Sequence, residues 1–294
     1  MMSFSLQFVL VLIGTFMIAL VLTPLVRLFS FKIDAVDYPN ARRINTKPMP
    51  SAGGLSIVIA FSIATLMFIP MLTSTTAPIK SYLSYTLPVV GAGWIIALTG
   101  LIDDVKELSA KKKMIGILLA ASLVWFLTDF RLNDFKIPFG GPLLHFEPWL
   151  SYLLTVIWIV AITNAVNLID GLDGLVSGVS IISLVTMGIV SYFFLPVPNL
   201  FLTMTIFVLV ASIAGFFPFN YHPAILYLGD TGALFIGFMI SVLSLQGLKN
   251  ATAVAVVTPM IILGVPITDT FLAIIRRTLS GQKFYKPDRN HLHH

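Results

Sequence analysis

Long apolar runs recur along almost the whole chain, and they constrain its fold more than any other feature. Each has about 18 to 25 residues, and a helix of that length crosses the roughly 30 Å hydrocarbon core of a bilayer. Of the 294 residues, 57% are hydrophobic and only 11% are charged, which excludes an ordinary water-soluble domain. The pattern predicts an all-α polytopic membrane protein with about nine transmembrane helices, at residues 5–29, 51–70, 84–101, 114–129, 149–167, 174–195, 200–217, 231–247 and 253–275.

The connections between these runs differ strongly in positive charge. Fourteen of the eighteen Lys and Arg residues fall in alternate connections that share one side of the membrane. Because the Lys- and Arg-rich side is normally cytoplasmic, the N-terminus is predicted outside and the C-terminus inside. The other side is predicted to carry a small extracellular β-hairpin near residues 135–146. The chain has no cysteine, which excludes disulfides and thiol catalysis.

Two adjacent carboxylates, Asp103 and Asp104, stand at the predicted cytoplasmic end of the third run, in the stretch GLIDDVKELSAKKK. Like charges this close repel each other, and the C-terminal end of a helix favours cations over anions. The pair therefore indicates a bound cation or a phosphate rather than a plain helix end.

The stretch NAVNLIDGLDGLVSG, residues 164–178, places four polar side chains between two apolar runs. Asn164, Asn167, Asp170 and Asp173 recur at intervals of three, which keeps them roughly on one side of a helix. A plain connection between helices would not need such a register. The alternative is an Asp-Gly turn in which the carboxylates only cap helices.

A lone carboxylate, Asp230, precedes the eighth run in FNYHPAILYLGDTGALFIG. Aspartate is a good N-cap, so a purely structural role stays open for it. Tyr227, three residues earlier, offers a flat ring on which a base could stack.

Loops that share one face of a membrane can converge, and these would pool carboxylates, amides and basic side chains. Such oxygen donors are the ligands that Mg²⁺ prefers, usually one or two carboxylates with substrate phosphate oxygens. The sequence contains no P-loop pattern and no Cys/His zinc spacing. The residues therefore favour phosphoryl chemistry at the cytoplasmic membrane surface, with a lipid as one substrate.

Six motifs, in order and spacing, resemble the polyprenyl-phosphate N-acetylhexosamine-1-phosphate transferases, which are of the glycosyltransferase family 4 type. They are RRINTKPMPSAGG, GLIDDVKELSAKKK, NAVNLIDGLDGLVSG, FNYHPAILYLGDTGALFIGF, PITDTFLAIIRR and KPDRNHLHH, and they cover the chain from about residue 20 to its end. Within the family, the sequence looks most like the bacterial undecaprenyl-phosphate GlcNAc-1-phosphate transferases that start teichoic acid and other cell-wall polysaccharides. Residues 1–294 are expected to form a single integral membrane transferase domain, truncated at the C-terminus relative to relatives with one or two further helices.

The resemblance implies transfer of GlcNAc-1-phosphate from UDP-GlcNAc to undecaprenyl phosphate, giving undecaprenyl-pyrophosphate-GlcNAc and UMP. It implies Mg²⁺ as the cofactor, with Mn²⁺ as a substitute. The expected location is the bacterial cytoplasmic (inner) membrane, with the active site facing the cytoplasm and a homodimer by analogy. Nucleic acid is not an expected partner, because the basic residues are dispersed beside the membrane rather than gathered in one patch.

The resemblance also implies roles for individual residues. The expected catalytic residues are Asp103, Asp104 and Asp230. The expected metal ligands are Asp230 and Asn167. The expected nucleotide-binding residues are Asp170, Asp173 and Tyr227. Phosphate and sugar contacts are expected from Lys106, Lys111, Arg289, His291, His293 and His294. The sequence leaves open whether Asp103 orients the lipid phosphate, acts as a base or forms a covalent intermediate.

Two alternatives remain at the level of the sequence. A different UDP-sugar donor in the same family, such as UDP-MurNAc-pentapeptide, would keep the same site. A secondary transporter is the distant alternative, because intramembrane carboxylates also mark ion pathways. Transport would require polar groups at mid-membrane, whereas these acids cluster at one interface.

Overall fold

The computed structural model describes five stretches of the chain: residues 4–39, 47–73, 79–136, 142–193 and 200–250. The ninth predicted run, 253–275, lies outside the described residues. The predicted sugar and phosphate contacts of the C-terminal tail also lie outside them, namely Arg289, His291, His293 and His294.

Within the described stretches the chain is mostly helical, as the apolar runs predict. The helices are α1 (Phe4–Lys32), α2 (Gly54–Ile63), α3 (Ile69–Thr73), α4 (Ile79–Lys106), α5 (Ala110–Leu127), α6 (Pro148–Leu168), α7 (Leu175–Phe193), α8 (Leu200–Asn220) and α9 (Gly229–Asn250). A π-helical turn, Ala64–Phe68, connects α2 to α3, so that the second run is a single helical segment with a local change of winding.

In the part of the chain that the structure describes, six helical segments are long and apolar enough to cross a membrane by length and composition: Phe4–Lys32, Gly54–Leu72, Thr86–Lys106, Pro148–Leu168, Leu175–Phe193 and Leu200–Asn220. They fit a multi-pass membrane protein, whereas nine crossings and the orientation stay predictions. Helix α5 begins AKKK, and the apolar remainder of about 14 residues rises only about 21 Å, short of the hydrocarbon thickness. The apolar part of α9, Gly229–Leu245, is also shorter than the six segments.

Two short antiparallel strand pairs accompany the helices. β1 (Val36–Asp37) pairs with β2 (Met49–Pro50), and the pair lies between α1 and α2 in the chain. β3 (Asp134–Lys136) pairs with β4 (Leu143–His145), and Asp134 lies opposite His145. Residues 137–141, which connect β3 to β4, lie outside the described residues, and the side of the membrane on which this pair lies stays a prediction.

Helix α9 forms the centre of the bundle. It packs against α4, α6 and α2, while α1 and α7 both pack against α8 further out. Residues 231–245 are all buried, and a helix that is apolar on every side belongs in the interior of a helical protein. Its first residues are therefore held by several neighbours at once.

Glycines let the backbone of α9 approach α2 and α4 at its N-terminal end. A Cβ atom built on Gly54 of α2 would lie only 2.1 Å from the Cα of Gly232, and one on Gly100 of α4 would lie 2.4 Å from the carbonyl oxygen of Asp230. Small residues are the usual means by which membrane helices pack closely. This close packing brings the start of α9 against the end of α4.

Candidate active site

The ends of α4 and α6 and the starts of α5 and α9 meet at one end of the bundle. Side chains from all four positions contact each other there, although the chain separates them by up to 127 residues. The structure thus brings four of the predicted site residues into one connected group of contacts: Asp103, Asp104, Asn167 and Asp230.

A lysine that is not among the predicted site residues lies between two of the predicted catalytic aspartates. Nζ of Lys113 lies 2.6 Å from Oδ2 of Asp103 and 2.6 Å from Oδ2 of Asp230. The three side chains are 19%, 9% and 27% exposed respectively, so solvent screens them only in part. Burial lowers the pKa of Lys113, but the two carboxylates, Asp230 foremost, outweigh burial and hold that pKa above its ordinary value.

The second oxygen of each aspartate is also engaged. Oδ1 of Asp230 accepts a hydrogen bond from Nδ2 of Asn167, in the last turn of α6. Oδ1 of Asp103 accepts one from the backbone N–H of Leu108, directly after α4 ends. Protein groups therefore hold both carboxylates in orientation.

Asp104 has a different set of partners from Asp103. Its carboxylate accepts hydrogen bonds from the backbone N–H groups of Asp230, at 2.8 Å, and Thr231, at 3.0 Å, and from the hydroxyl of Thr231. These amides belong to the first turn of α9 and have no acceptor within their own helix. Asp104, at the end of α4, thus caps the N-terminus of α9. The sequence had left this N-cap role open for Asp230. The catalytic role expected for Asp104 stays a prediction.

Asp170 lies in the turn between α6 and α7 and is half-buried. Burial, together with the negative charges of Asp230 and Asp37, raises the pKa of its carboxyl from 3.8 to about 8. A carboxyl with such a pKa is largely protonated at neutral pH and can donate a hydrogen bond.

Asp173 connects the turn after α6 to the loop between α8 and α9. Its Oδ2 lies 2.9 Å from Nδ1 of His222 and accepts a hydrogen bond from the backbone N–H of Ala224, at 3.0 Å. The same loop carries Tyr227, whose backbone N–H donates to the carbonyl of Pro50 and whose carbonyl accepts from Gly53. All three residues expected to bind the nucleotide thus lie in or against two adjoining segments.

Lys106 and Lys111 are exposed at the end of α4 and the start of α5. The sequence contained a signal that separates Lys113 from Lys111. The buried residues of α5 are Gly116, Ile117, Ala120, Ala121 and Val124, and Lys113 continues that stripe one turn earlier, at spacings of three and four. Of the three consecutive lysines, only Lys113 is on the inward face.

Among the described residues, no group of three or more His, Cys, Asp or Glu side chains is arranged to hold a metal by itself. Mg²⁺ does not need such a cage, because it usually takes one or two carboxylates and completes its shell with water and phosphate oxygens. Asp230 with the amide of Asn167 offers such a partial set. The ammonium group of Lys113 against the same carboxylate indicates that this position favours a cation.

Comparison with known proteins identifies the wider group. The family model described as glycosyl transferase family 4 matches residues 86–248. A Bacillus subtilis protein named "Probable undecaprenyl-phosphate N-acetylglucosaminyl 1-phosphate transferase" is 42% identical, over 98% of this chain and 76% of its own length. A decaprenyl-phosphate N-acetylglucosaminephosphotransferase of Mycolicibacterium smegmatis is 33% identical, over 92% of this chain and 70% of its own length.

A more distant relative carries a similar name. An undecaprenyl-phosphate alpha-N-acetylglucosaminyl 1-phosphate transferase of Salmonella typhi is 28% identical, over 96% of this chain and 74% of its own length. The matched family region contains both Asp103 and Asp230, together with Lys113 and Asn167 between them in the chain. The extent of the family match and of the Bacillus similarity shows that the chain belongs to glycosyl transferase family 4.

Proposed function

We propose that this chain transfers GlcNAc-1-phosphate from UDP-GlcNAc to undecaprenyl phosphate, releasing UMP. The observation that carries the proposal is the joint placement of Asp103, Lys113, Asn167 and Asp230 at one end of a membrane-type helix bundle. The names of the relatives support the same acceptor and sugar. The product starts a cell-wall polysaccharide such as teichoic acid.

The proposed reaction replaces one phosphorus–oxygen bond with another. An oxygen of the lipid phosphate attacks the phosphorus that carries the sugar, and the bond from that phosphorus to UMP breaks, with its electron pair leaving on UMP. The lipid phosphate is already an anion near neutral pH, so the protein must chiefly align it and neutralise the growing negative charge. Asp103 orients the lipid phosphate or accepts its remaining proton, and Lys113 supplies a positive charge beside it.

Asp230 and Asn167 would hold Mg²⁺, or Mn²⁺ in its place, which neutralises charge on the diphosphate oxygens when bound. Asn167 can serve because a half-turn of its amide group exchanges the donor nitrogen for the acceptor oxygen. Asp104 keeps Asp230 in position through the first turn of α9.

The nucleotide would lie against the turn after α6 and the loop before α9. Tyr227 stacks on uracil, while Asp170 and Asp173 receive the polar edges of the nucleoside. The exposed lysines Lys106 and Lys111 contact phosphate oxygens. Arg289, His291, His293 and His294, outside the described residues, are proposed to contact the diphosphate or the sugar.

The site is proposed to face the cytoplasm of a bacterium, in the cytoplasmic (inner) membrane. The basic residues carry this orientation, because fourteen of the eighteen lie in connections on the predicted inner side. A homodimer is part of the same proposal, by analogy alone.

The direct experiment incubates the purified protein with Mg²⁺, undecaprenyl phosphate and either UDP-GlcNAc or UDP-MurNAc-pentapeptide. UMP release and lipid-linked product are expected with UDP-GlcNAc. Release with UDP-MurNAc-pentapeptide alone would assign the other donor in the family. No UMP with either donor would refute the proposed transfer.

Two variants test the site itself. Asp103→Asn and Asp230→Asn should each lower UMP release by about 100-fold or more, because each removes a charge that acts on the reacting phosphates. Asp129→Asn is the matched control, since its carboxylate is 77% exposed and follows α5 at the opposite end from Lys113. If either site variant folds like the Asp129→Asn control and still releases UMP at a substantial rate, the role proposed for that residue is wrong.

No observation favours the transporter alternative. Each of the acidic residues in the described stretches lies in a loop, in a two- or three-residue strand, or in the first or last turn of a helix: Asp34, Asp37, Asp103, Asp104, Glu107, Asp129, Asp134, Glu147, Asp170, Asp173 and Asp230. An ion pathway would require such groups near mid-membrane.

A further inference from the structure

The position of Lys113 conflicts with a metal ion on Asp230. Both carboxylate oxygens of Asp230 already have a partner, Oδ1 in the amide of Asn167 and Oδ2 in the ammonium of Lys113. Each oxygen still has a second lone pair, but a metal bound there would lie beside the amide group and the ammonium group. The amide can turn and become a ligand, whereas an ammonium group has only donors and repels a cation.

Lys113 has a second carboxylate on which to remain. Its Nζ is equally close to Asp103, which lies on a different helix and is more buried than Asp230. The lysine stem is flexible, so the ammonium group can leave Asp230 while it keeps its contact with Asp103. Without a cation between them, two carboxylates this close would repel each other.

We propose that Lys113 is a built-in counter-cation that occupies the metal's carboxylate in the metal-free protein and is displaced from Asp230, but not from Asp103, when the divalent ion binds. Lys113 thus weakens metal binding until the substrate diphosphate adds its own oxygens. The metal and the nucleotide-sugar donor then bind cooperatively, because the metal neutralises the charge of the diphosphate and the diphosphate supplies oxygen ligands to the metal. This inference rests on the proposed function, since the divalent ion on Asp230 is part of that proposal.

The test measures binding of Mn²⁺ alone, without nucleotide or lipid, by electron paramagnetic resonance of the free ion in detergent. Lys113→Met removes the competing charge and keeps the length of the side chain. We expect it to bind Mn²⁺ at least about tenfold more tightly than the wild type. Lys112→Met is the matched control, because Lys112 is an exposed neighbour in the same helix and its loss changes the net charge equally.

A chemical variant keeps the test decisive if Lys113→Met does not fold. The chain has no cysteine, so Lys113→Cys gives a single thiol. After alkylation, an S-ethyl group leaves this side chain neutral, whereas an S-aminoethyl group restores a lysine-like cation. Mn²⁺ should bind about tenfold more weakly to the aminoethylated protein than to the ethylated protein.

Equal or weaker Mn²⁺ binding by Lys113→Met than by Lys112→Met, or equal binding by the two alkylated forms, would overturn the inference. The proposed function is tested separately by UMP release from the wild type. Wild-type release of UMP together with unchanged Mn²⁺ affinities would refute the role of Lys113 alone. Absence of UMP would refute the transfer reaction, whatever the Mn²⁺ titration shows.

Discussion

Asp104 joins the end of α4 to the start of α9, and replacing it should weaken the fold as well as the chemistry. Asp104→Ala removes the acceptor for two backbone N–H groups, those of Asp230 and Thr231, and for the hydroxyl of Thr231. Thr231 is fully buried, so water cannot readily replace the lost acceptor. The hydroxyl can rotate toward another acceptor, but the two amides are fixed by the helix.

The expected loss of stability follows from those two amides. Removal of a helix N-cap costs about 0.5–2 kcal/mol, and a buried donor left without an acceptor costs about 1–3 kcal/mol. We therefore expect Asp104→Ala to lower the free energy of unfolding by about 2–4 kcal/mol. Asp104→Asn keeps one oxygen acceptor but turns an NH₂ group toward a donor, so its loss should be large as well.

Unfolding in mixed micelles, with SDS as the denaturant and tryptophan fluorescence as the signal, measures this difference. Asp129→Ala is the control, because it removes an exposed carboxylate whose ion pair with Arg131 should contribute little. UMP release should fall in Asp104→Ala too, because Asp230 loses its anchor.

The result also separates two roles for Asp104. If Asp104 acted only in catalysis, Asp104→Ala would abolish UMP release and unfold like Asp129→Ala. A difference in unfolding free energy below about 0.5 kcal/mol between these two variants would refute the capping argument.

Three further predictions concern the turn after α6 and the start of α9. The pKa of Asp170 is about 8 in the folded protein and 3.8 in the unfolded chain, so between these values the folded protein holds a proton that unfolding releases. The contribution of Asp170 to stability should therefore fall as pH rises from about 4 to 8. Asp170→Asn should make the melting temperature less dependent on pH over that window, and an unchanged pH profile would contradict the assignment. Tyr227→Ala should weaken UDP-GlcNAc binding about tenfold in calorimetry, whereas Tyr221→Ala, on the same loop with 62% exposure, should not; equal affinities would exclude stacking by Tyr227. Gly229→Ala should destabilise the protein by about 2 kcal/mol or more, since Gly229 has φ +70° and a Cβ there would lie 1.5 Å from the carbonyl oxygen of Ser51; wild-type thermal stability would show that this loop can move aside.

Most of the helical architecture in the described stretches was predictable, because hydropathy and length are local properties of the chain. The predicted runs 5–29 and 149–167 correspond to α1 (Phe4–Lys32) and α6 (Pro148–Leu168). The π-helical turn Ala64–Phe68 was not predicted, since hydropathy carries no information about a local change of winding.

The membership of the candidate site was partly predictable for a similar reason. Charge is costly inside a bilayer, so carboxylates such as Asp103 and Asp230 must gather at helix ends, and the sequence alone locates those ends. The choice among three consecutive lysines required the inward face of α5. The spacing of the small and apolar residues of α5 marks that face, and Lys113 lies three and four residues before its first two members, Gly116 and Ile117.

The sequence by itself thus determined that this is a helical membrane-type chain with a polar site at helix ends, and which residue types that site contains. Only the tertiary structure decided which side chain serves which partner. Lys113 meets Asp230 across 117 residues, and Asp104 caps the first turn of α9 across 126. Hydrogen bonds act over about 3 Å, so these contacts depend on how the helices pack. Close backbone approaches, such as that of Gly54 to Gly232, determine this packing, whereas local sequence does not.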